Sequence, residues 1–364
     1  MKIWNVDFEE FARRTREEKK QIVLWGLGTF FHTCIPYLLR EYGLEDQVCG
    51  LIDKDEKKWG REIPVGKKSH LVRPPSSMVR WRDQGCRILI TSSYFAEAVD
   101  ELEAMEDCAA DCFVAAFMFP AQEGGFRAYQ HAKPQIPQVI HYCWFGRGPI
   151  SEKSRRCIDS WKKWCPGYEI VRWNEDNYDV KKNPYMAQAY EMGRYGYVPD
   201  YARIDLLYHY GGLYFDTDVE LVGNIDELLY LKGFTSFEEY PMVNFGGGSG
   251  SVKGLGILKE ILDFRSRYEF RGSEGTINKL TCGFYETTPL YERGLRPENR
   301  VQNVEGLTVL PSYYFHVKSS VTKEIYVREQ TLGIHDFNWS WVSEAQKEEQ
   351  RRTGELVRRY FRQP

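Results

Sequence analysis

Short apolar runs alternate with charged, helix-like segments in the first part of the chain. The runs "IVLW", "VCGLID", "RILITSS" and "DCFVAAF" predict four strands, with helices between them. Strands that alternate with helices are typical of a parallel sheet. We therefore expect residues 1–125 to form an α/β domain built on a parallel sheet.

A second series of elements follows a Gly- and Pro-containing linker, which we place at residues 126–136. The segments "VIHYCWFG", "YEIVRWNEDN" and "LYFDTDVEL" predict strands, and "SEKSRRCIDSWKKWCPG" predicts a helix capped by Ser151. The segment "YVPDYARIDLLYHYGG" predicts a helix that ends at Gly211. We expect this second domain to span residues 137–364, with a charged helix at its C-terminal end.

The composition is that of a globular protein large enough for two domains. The chain has 364 residues, of which 42% are hydrophobic and 28% are charged. Its net charge of −3 provides no electrostatic reason to expect nucleic-acid binding. The nine cysteines form no CxxC pair, and an odd number of unpaired thiols favours the reducing cytosol. We therefore expect a cytoplasmic protein.

Asp216 and Asp218 interrupt an apolar segment, where charge requires a reason. If the segment is a strand, its side chains i and i+2 point to the same side, and the two carboxylates converge. They repel each other unless a cation lies between them, and oxygen ligands favour Mg²⁺ or Mn²⁺. At the carboxyl end of a strand such an ion would hold a diphosphate. The alternative is that the acids belong to a solvated turn, which is how we interpret Asp53 and Asp55 in "DKDEKK".

Three stretches, in order, resemble glycosyltransferase family 32: "IPQVIHYCWFGRGPISEKSRRCIDSWKKWCPGYEIVRWNEDNYDV", "YVPDYARIDLLYHYGGLYFDTDVEL" and "GIHDFNWSW". The resemblance implies a GT-A type domain, a nucleotide-sugar donor such as a UDP-hexose, a divalent metal (Mn²⁺ or Mg²⁺), and transfer with retention at the anomeric carbon. It also implies a cell-surface or capsular glycan acceptor, free or lipid-linked. The first domain resembles Rossmann-like domains attached to sugar-modifying enzymes of surface polysaccharide pathways. The expected fold class is therefore α/β, a Rossmann-like domain followed by a GT-A domain.

The resemblance implies several donor-binding residues. Trp144 in "IHYCW" would stack on the nucleotide base, although a core tryptophan is the alternative. Asp200 and Arg203 in "PDYAR" lie at i and i+3, on one helix face, and would contact the donor sugar and phosphate. The alternative for this pair is a helix cap with an ion pair. Tyr214 would face the nucleotide alongside Asp216.

The end of the chain adds further implied residues. His335 in "GIHDFNWSW" matches a histidine near the metal or diphosphate, but Asp336 stands where relatives often carry a second histidine, which puts direct ligation in doubt. Trp341 would cover the donor, and Asn244 in "MVNFGGGSG" matches a sugar- or acceptor-side position. The residues expected to act in catalysis are Asp216, Asp218 and Arg203, and those expected to hold the metal are Asp216, Asp218 and His335.

Two features lie outside the resemblance. Gly26 and Gly28 follow a strand, and Asp53 lies where a ribose-binding acid would, but Phe31 takes the place of the third glycine. Nucleotide binding and a docking role both stay open for the first domain. The arginines of the C-terminal helix would either touch an anionic membrane peripherally or remain solvated. The rival functions are a nucleotide-sugar-binding regulator with an inactive transferase domain and, more weakly, a nicotinamide-dependent oxidoreductase.

Overall fold

A computed structural model describes residues 1–82, 84–105, 110–126, 133–272, 277, 278, 280–337 and 344–361. The chain divides into two compact units. The first unit combines Met1–Pro120 with Val342–Pro364, and the second unit is Ala121–Trp341. Within the described residues, no helix has both the length and the apolar character needed to span a membrane.

The first unit is built on a seven-stranded sheet. Its strands are β1 (Lys2–Trp4), β2 (Ile22–Trp25), β3 (Val48–Ile52), β4 (Glu62–Val65), β5 (Lys68–Arg73), β6 (Arg87–Ile90) and β7 (Asp111–Val114). Its first four helices are α1 (Phe8–Glu17), α2 (Thr29–Glu41), α3 (Val79–Arg82) and α4 (Ala96–Glu103). The strand order is β1-β7-β6-β2-β3-β5-β4, and every neighbouring pair is parallel except β4 with β5. The parallel α/β class predicted for this part of the chain is confirmed.

Three strands of this sheet were not predicted. Strand β1 has only three residues, too few to show a period in the sequence. The hairpin β4–β5 lies at the sheet edge and is largely exposed, so its residues are polar and resemble a loop. The four predicted strands are the buried ones, because burial on both faces produces continuous apolar runs.

The second unit contains a mixed eight-stranded sheet. Its strands are β8 (Val139–Cys143), β9 (Glu169–Trp173), β10 (Gly212–Tyr214), β12 (Gly233–Phe237), β13 (Val243–Asn244), β14 (Ser249–Ser251), β15 (Gln302–Val304) and β16 (Leu307–Leu310). The order is β15-β16-β12-β14-β10-β8-β9, with β13 paired to β12. Strand β14 runs antiparallel to both of its neighbours, whereas β8, β9 and β10 run parallel.

A separate ribbon joins β11 (Val219–Leu221) to β17 (Gly333–His335) in an antiparallel pair. The helices of the second unit are α5 (Glu152–Trp164), α6 (Pro184–Glu191), α7 (Pro199–Tyr210), α8 (Gly256–Arg265) and α9 (Cys282–Glu292). The predicted caps are present: the Ser151 side chain accepts from the Ser154 amide at the start of α5, and Gly211 ends α7 with φ of +72°.

The segment "LYFDTDVEL" is not one strand, as we predicted, but two strands with a turn between them. Strand β10 ends at Tyr214, and β11 begins at Val219 in a different sheet. The turn is closed by a hydrogen bond from the Val219 amide to the Asp216 carbonyl, at 3.1 Å. The two aspartates therefore converge because of a turn rather than through the alternation of a strand.

Buried aromatic packing holds this turn in place. The side chain of Trp161 on α5 is fully buried, and its Nε1 donates to the Val219 carbonyl at 2.8 Å. The Trp161 ring also packs against the fully buried Phe215, with ring centroids 5.6 Å apart. Burying such large rings contributes on the order of 1.5–3 kcal/mol each. The peptide on either side of the two aspartates is thus fixed to the core.

The C-terminal helix α10 (Glu344–Tyr360) packs on the first unit, whereas we expected it in the domain spanning residues 137–364. Glu349 accepts a hydrogen bond from the amide of Glu97, in the first turn of α4, at 3.2 Å. Arg352 pairs with Asp100 on the same helix α4. Contacts of this kind join segments that are far apart in the sequence, so the local sequence pattern does not predict the position of this helix.

Candidate active site

The two aspartates are anchored through their main chains. The amide of Asp216 donates to the Gly246 carbonyl at 2.8 Å, and the amide of Asp336 donates to the Asp218 carbonyl at 3.0 Å. The side chains of Asp216 and Asp218 are 25% and 18% exposed to solvent, so that a cation can reach both carboxylates.

The ribbon of β11 and β17 brings His335 to the aspartates. Its register places His335 opposite Val219, next to Asp218 in the chain. Nε2 of His335 lies 3.4 Å from Oδ1 of Asp218. Burial lowers the pKa of His335, but the facing carboxylate of Asp218 outweighs it, and the pKa is raised overall. A histidine remote in sequence thereby becomes part of the aspartate pair.

Asp216, Asp218 and His335 together have the donor set of a small metal site. One ligand atom from each residue lies within 4.8 Å of the others. Carboxylate oxygens suit hard divalent ions, and an imidazole nitrogen is acceptable to Mn²⁺. Asp336, the neighbour of His335, is instead held by Lys153 and Lys318. The residues present therefore fit a divalent cation, with His335 rather than Asp336 as the third donor.

Arg203 is surrounded by acids in the interior of the second unit. Its guanidinium lies 2.5 Å from Oδ1 of Asp200, 3.5 Å from Oδ2 of Asp216 and 3.8 Å from Oε1 of Glu286. Burial opposes the charge of Arg203, but the carboxylates, Asp216 first among them, raise its pKa well above the usual value, so it stays charged. The ion pair between Asp200 and Arg203, which we gave as the alternative to donor binding, is present and links directly to Asp216.

Arg265 extends this network from helix α8. Its guanidinium lies 3.6 Å from the ring centroids of both Tyr185 and Tyr285, which stack on its two faces. It reaches Oδ2 of Asp200 at 3.5 Å. Cation–π contacts of a desolvated arginine contribute about 2 kcal/mol. Asp200 is therefore held between two guanidiniums rather than serving as a simple helix cap.

Asn244 connects the arginine to an additional acid. Its Oδ1 accepts from the amides of Gly246 and Gly247, at 2.7 and 3.3 Å, and from Arg203 at 3.4 Å. Its Nδ2 donates to Oε1 of Glu238 at 2.7 Å. The glycines let the backbone approach the site closely, since a methyl group on Gly246 would lie 2.1 Å from Oδ2 of Asp216.

The predicted aromatic residues differ in their placement. Tyr214 is fully buried, and its hydroxyl donates to Oδ1 of Asp216 at 2.9 Å, so it supports that carboxylate from below. Trp144 is only partly buried, and its Nε1 donates to the Gly148 carbonyl at 2.8 Å. Trp341 lies outside the described residues.

Four residues at or next to the site had no role predicted from the sequence: Arg265, Glu286, His316 and Glu238. Glu286 belongs to no recognisable sequence motif, but it is an acid within the largely apolar helix α9. Arg265 is likewise a charged residue at the end of the largely apolar helix α8. Such buried charges were the available signal. Burial raises the pKa of Glu286 to about 7, against the opposing effect of Arg203.

In the first unit, the acid after β3 is engaged by its own chain. Asp53 accepts from the amide of Leu27 at 2.7 Å, from Nζ of Lys58 at 2.8 Å and from the amide of Asp55 at 2.8 Å. These bonds tie the glycine loop after β2 to the loop after β3. Asp53 is therefore buried and has a structural role within this unit, whereas we expected it in a solvated turn.

Comparison with known proteins adds an independent line of observation. Residues 151–234 match the family model described as "Glycosyltransferase sugar-binding region containing DXD motif". This region contains Arg203 and both aspartates of the candidate metal site. The resemblance predicted from the sequence is confirmed, as is the α/β fold class expected of such a transferase.

Two curated relatives come from Schizosaccharomyces pombe. The chain is similar to "Inositol phosphoceramide mannosyltransferase 3", with 31% identity over 171 residues, 45% of each chain. It is also similar to "Inositol phosphoceramide mannosyltransferase 1", with 28% identity over 106 residues, 26% of this chain and 32% of the relative. The chain thus spans less than half the length of these relatives. Among solved structures, "PaToxG Glycosyltransferase" covers 60% of this chain and 77% of its own at 19% identity, and its TM-score of 0.36 is too low to establish a shared fold.

Proposed function

We propose that this protein transfers a sugar from a nucleotide-sugar donor to a glycan acceptor, a proposal supported by the match of residues 151–234 to the DXD sugar-binding region of glycosyltransferases. The observation that carries the proposal is the convergence of Asp216, Asp218 and His335 beside the buried Arg203. A cluster of carboxylates next to a fixed guanidinium is suited to a cation and a diphosphate together.

Asp216, Asp218 and His335 would hold the divalent metal, Mn²⁺ or Mg²⁺. When bound there, the metal supplies Lewis-acid stabilisation of the departing nucleoside diphosphate. Tyr214 and Arg203 would keep Asp216 in its ligating orientation through the contacts at 2.9 and 3.5 Å. The imidazole ligand fits Mn²⁺ better than Mg²⁺, and we propose Mn²⁺.

Arg203 would also stabilise the diphosphate as charge develops on it, which is the main electrostatic demand of the reaction. Asp200, held between Arg203 and Arg265, would receive a hydroxyl of the donor sugar. Asn244 would orient the sugar or acceptor, with Trp144 and Trp341 flanking the nucleotide. These roles follow from the resemblance, and the buried network supports those of Arg203 and Asp200.

The identities of the donor and the acceptor are separate, more specific proposals. We propose a hexose donor, UDP-linked as the resemblance implies; the mannosyltransferase names of the two relatives make GDP-mannose the second candidate. We propose a capsular or other cell-surface glycan as acceptor, free or lipid-linked, and transfer with retention. We place the reaction in the cytoplasm, with peripheral membrane contact through α10 as an additional proposal.

Release of free nucleoside diphosphate tests the proposal. The purified full chain would be incubated with UDP-glucose, UDP-galactose, their N-acetyl forms or GDP-mannose, with Mn²⁺ or with EDTA. We expect slow turnover of one donor, lost with EDTA and lowered at least 100-fold in Asp218→Asn, because the metal site would lose a charged ligand. The matched control is Asp159→Asn, an exposed acid on α5 that should leave turnover unchanged.

The result also bears on the rival function, a regulator with an inactive transferase domain. Turnover of any donor excludes the regulator. Absence of turnover with tight Mn²⁺-dependent binding of UDP or GDP by calorimetry would support the metal–diphosphate site and leave two explanations, a missing acceptor and an inactive domain. Absence of both would remove the metal–diphosphate site altogether.

A further inference from the structure

Two buried imidazoles lie side by side beneath the candidate metal site. His316 and His335 are each about 95% buried, and their ring centroids are 5.3 Å apart in an edge-on arrangement. Phe337 stacks on His335, with ring centroids 4.3 Å apart, and flanks His316 at 5.8 Å. The pair is therefore enclosed in the protein interior rather than open to bulk solvent.

Each ring has one nitrogen engaged and one without a hydrogen-bond partner. Nδ1 of His316 is 3.1 Å from Oγ of Ser236, and Nε2 of His335 faces Asp218. Nε2 of His316 and Nδ1 of His335 are both buried and unpartnered. A buried polar atom without a hydrogen-bond partner lowers the stability of the folded state by about 1–3 kcal/mol. Two such nitrogens next to the candidate metal site therefore require an explanation.

The unpartnered nitrogens share one small space beside Gly247. A methyl group on Gly247 would lie 2.1 Å from Nε2 of His316 and 3.0 Å from Nδ1 of His335. Glycine keeps this space free of side-chain atoms. No direct hydrogen bond links the two nitrogens, and one water molecule in the space between them can join them.

One assignment of protons pairs three of the four ring nitrogens and leaves the fourth, Nε2 of His335, with a lone pair available to a cation. A neutral imidazole has one donor and one acceptor nitrogen. If Nδ1–H of His316 donates to Ser236, its Nε2 is an acceptor. Nδ1–H of His335 can then donate to it through the bridging water, and Nε2 of His335 keeps a lone pair for a cation bound beside Asp218. Burial, and then the neighbouring His335, lower the pKa of His316 well below its usual value, which agrees with a neutral ring.

We propose that His316 is a positioning residue that holds His335 in its metal-binding tautomer, as part of a relay Ser236–His316–His335. The inference rests on the proposed function, because it assumes that Nε2 of His335 binds the metal. Histidine ligands commonly donate their other ring N–H to a fixed acceptor, which orients the ring and increases its basicity. Here a second histidine provides that acceptor.

The test is Mn²⁺ affinity, measured on the full chain by electron paramagnetic resonance of free Mn²⁺. Replacing His316 with leucine removes the acceptor, and we expect the dissociation constant to rise 10- to 100-fold. His316→Gln keeps a carbonyl oxygen able to accept from His335 and should recover part of the loss. Ser236→Ala should raise the constant a few-fold, whereas the control Ser251→Ala, a buried serine of the same sheet bonded to the Leu207 carbonyl, should not. Circular dichroism would verify that each variant is folded.

A second readout separates positioning from direct ligation. Electron spin echo envelope modulation of bound Mn²⁺ should detect one coordinated imidazole nitrogen in the wild type, and the same one in His316→Gln. Loss of a coordinated nitrogen in that variant would make His316 a ligand and overturn the relay. So would wild-type affinity in His316→Leu, or an equal loss in Ser251→Ala. A wild-type chain that binds no Mn²⁺ would overturn the proposed metal site and the relay with it, whereas intact wild-type binding confines any failure to the relay.

Discussion

At Gly246 there is no room for a side chain, because the backbone passes directly next to the side chains of Asp216 and Arg203. A methyl group there would lie 2.1 Å from Oδ2 of Asp216 and 2.2 Å from a guanidinium nitrogen of Arg203. Both neighbours are anchored, Asp216 by its main chain and Arg203 by Asp200. The sequence "FGGGSG" is thus explained by close approach within the protein rather than by a flexible loop.

We predict that Gly246→Ala lowers nucleoside diphosphate release at least tenfold. The added methyl group would push the Asp216 carboxylate away from Asp218 and His335, so the donor set would no longer converge. The control is Gly256→Ala at the start of α8, where a methyl group meets no atom within 4 Å. Wild-type turnover in Gly246→Ala would contradict this account of the glycine.

Tyr214 carries a second prediction at this scale. Its hydroxyl donates to Asp216 from a fully buried position, and hydrogen bonds to charged groups contribute about 1.5–3 kcal/mol. We expect Tyr214→Phe to weaken Mn²⁺ binding about tenfold or more, measured by calorimetry. Tyr168→Phe, which removes a surface hydrogen bond to Asp226, is the matched control and should have no effect. Equal affinities for both variants would show that the hydroxyl does not support the carboxylate.

At the scale of elements, three helices bring buried charge to one place. Helix α7 contributes Asp200 and Arg203, α8 contributes Arg265, and α9 contributes Glu286. A narrow crevice lies between them, lined by Asp200, Tyr201, Ile204, Ile261, Leu262, Arg265, Cys282, Tyr285 and Glu286. Each charge is opposed by another, which is the condition for keeping ions in an interior.

Glu286 should make the stability of the second unit depend on pH. Burial raises its pKa to about 7, and it faces Arg203 and Asp200 on α7, Asp216 on the turn and Cys282 on its own helix. Because the folded pKa lies above the unfolded value of 4.5, the folded state binds the extra proton, and stability falls as pH rises from about 4.5 through 7.

Urea unfolding of the wild type and of Glu286→Gln at pH 5 and pH 8 would measure this effect. We expect the wild type to lose on the order of 1–3 kcal/mol more than the variant across that interval. Glu220→Gln, an exposed acid on β11, should behave like the wild type. A pH dependence that is identical in Glu286→Gln would mean that Glu286 is not the titrating group.

The contact between α4 and α10 provides a prediction for the first unit. Glu349 accepts from the amide of Glu97, one of the first amides of α4, for which the helix itself offers no partner. We expect Glu349→Ala to lower the free energy of unfolding by about 0.5–2 kcal/mol, the range for loss of a cap. Glu348→Ala, the exposed neighbour paired with Arg351, should change it by less than about 0.5 kcal/mol. Equal effects would argue against a capping role.

At the scale of the whole molecule, metal binding should stabilise one unit only. The three candidate ligands all lie within Ala121–Trp341, so binding to the folded state shifts the unfolding of that unit by mass action. At 100 times the dissociation constant the gain is about 2.7 kcal/mol, or about 5–10 °C for a unit of this size. Calorimetric scans with Mn²⁺ or EDTA would detect the shift. It should disappear in Asp218→Asn, and a shift that persists there would place the metal elsewhere.

Local patterns in the sequence determined a large part of this protein. The buried strands β2, β3, β6 and β7, the cap at Ser151 and the end of α7 at Gly211 were all predicted, because each depends on neighbouring residues. The aspartate pair was recognised because charge inside an apolar segment is unusual, although its convergence was ascribed to the wrong local structure.

Only the tertiary structure decided how the site is assembled. His335 joins the aspartates through the pairing of β11 with β17, and Glu286 and Arg265 reach the Asp200–Arg203 pair through packing of α7, α8 and α9. The relay of His316 behind His335 likewise depends on contacts between distant segments. Propensity and periodicity act over a few residues, whereas these contacts form when separate elements are buried against each other. That burial is why the sequence indicated the kind of site but not the complete set of residues that form it.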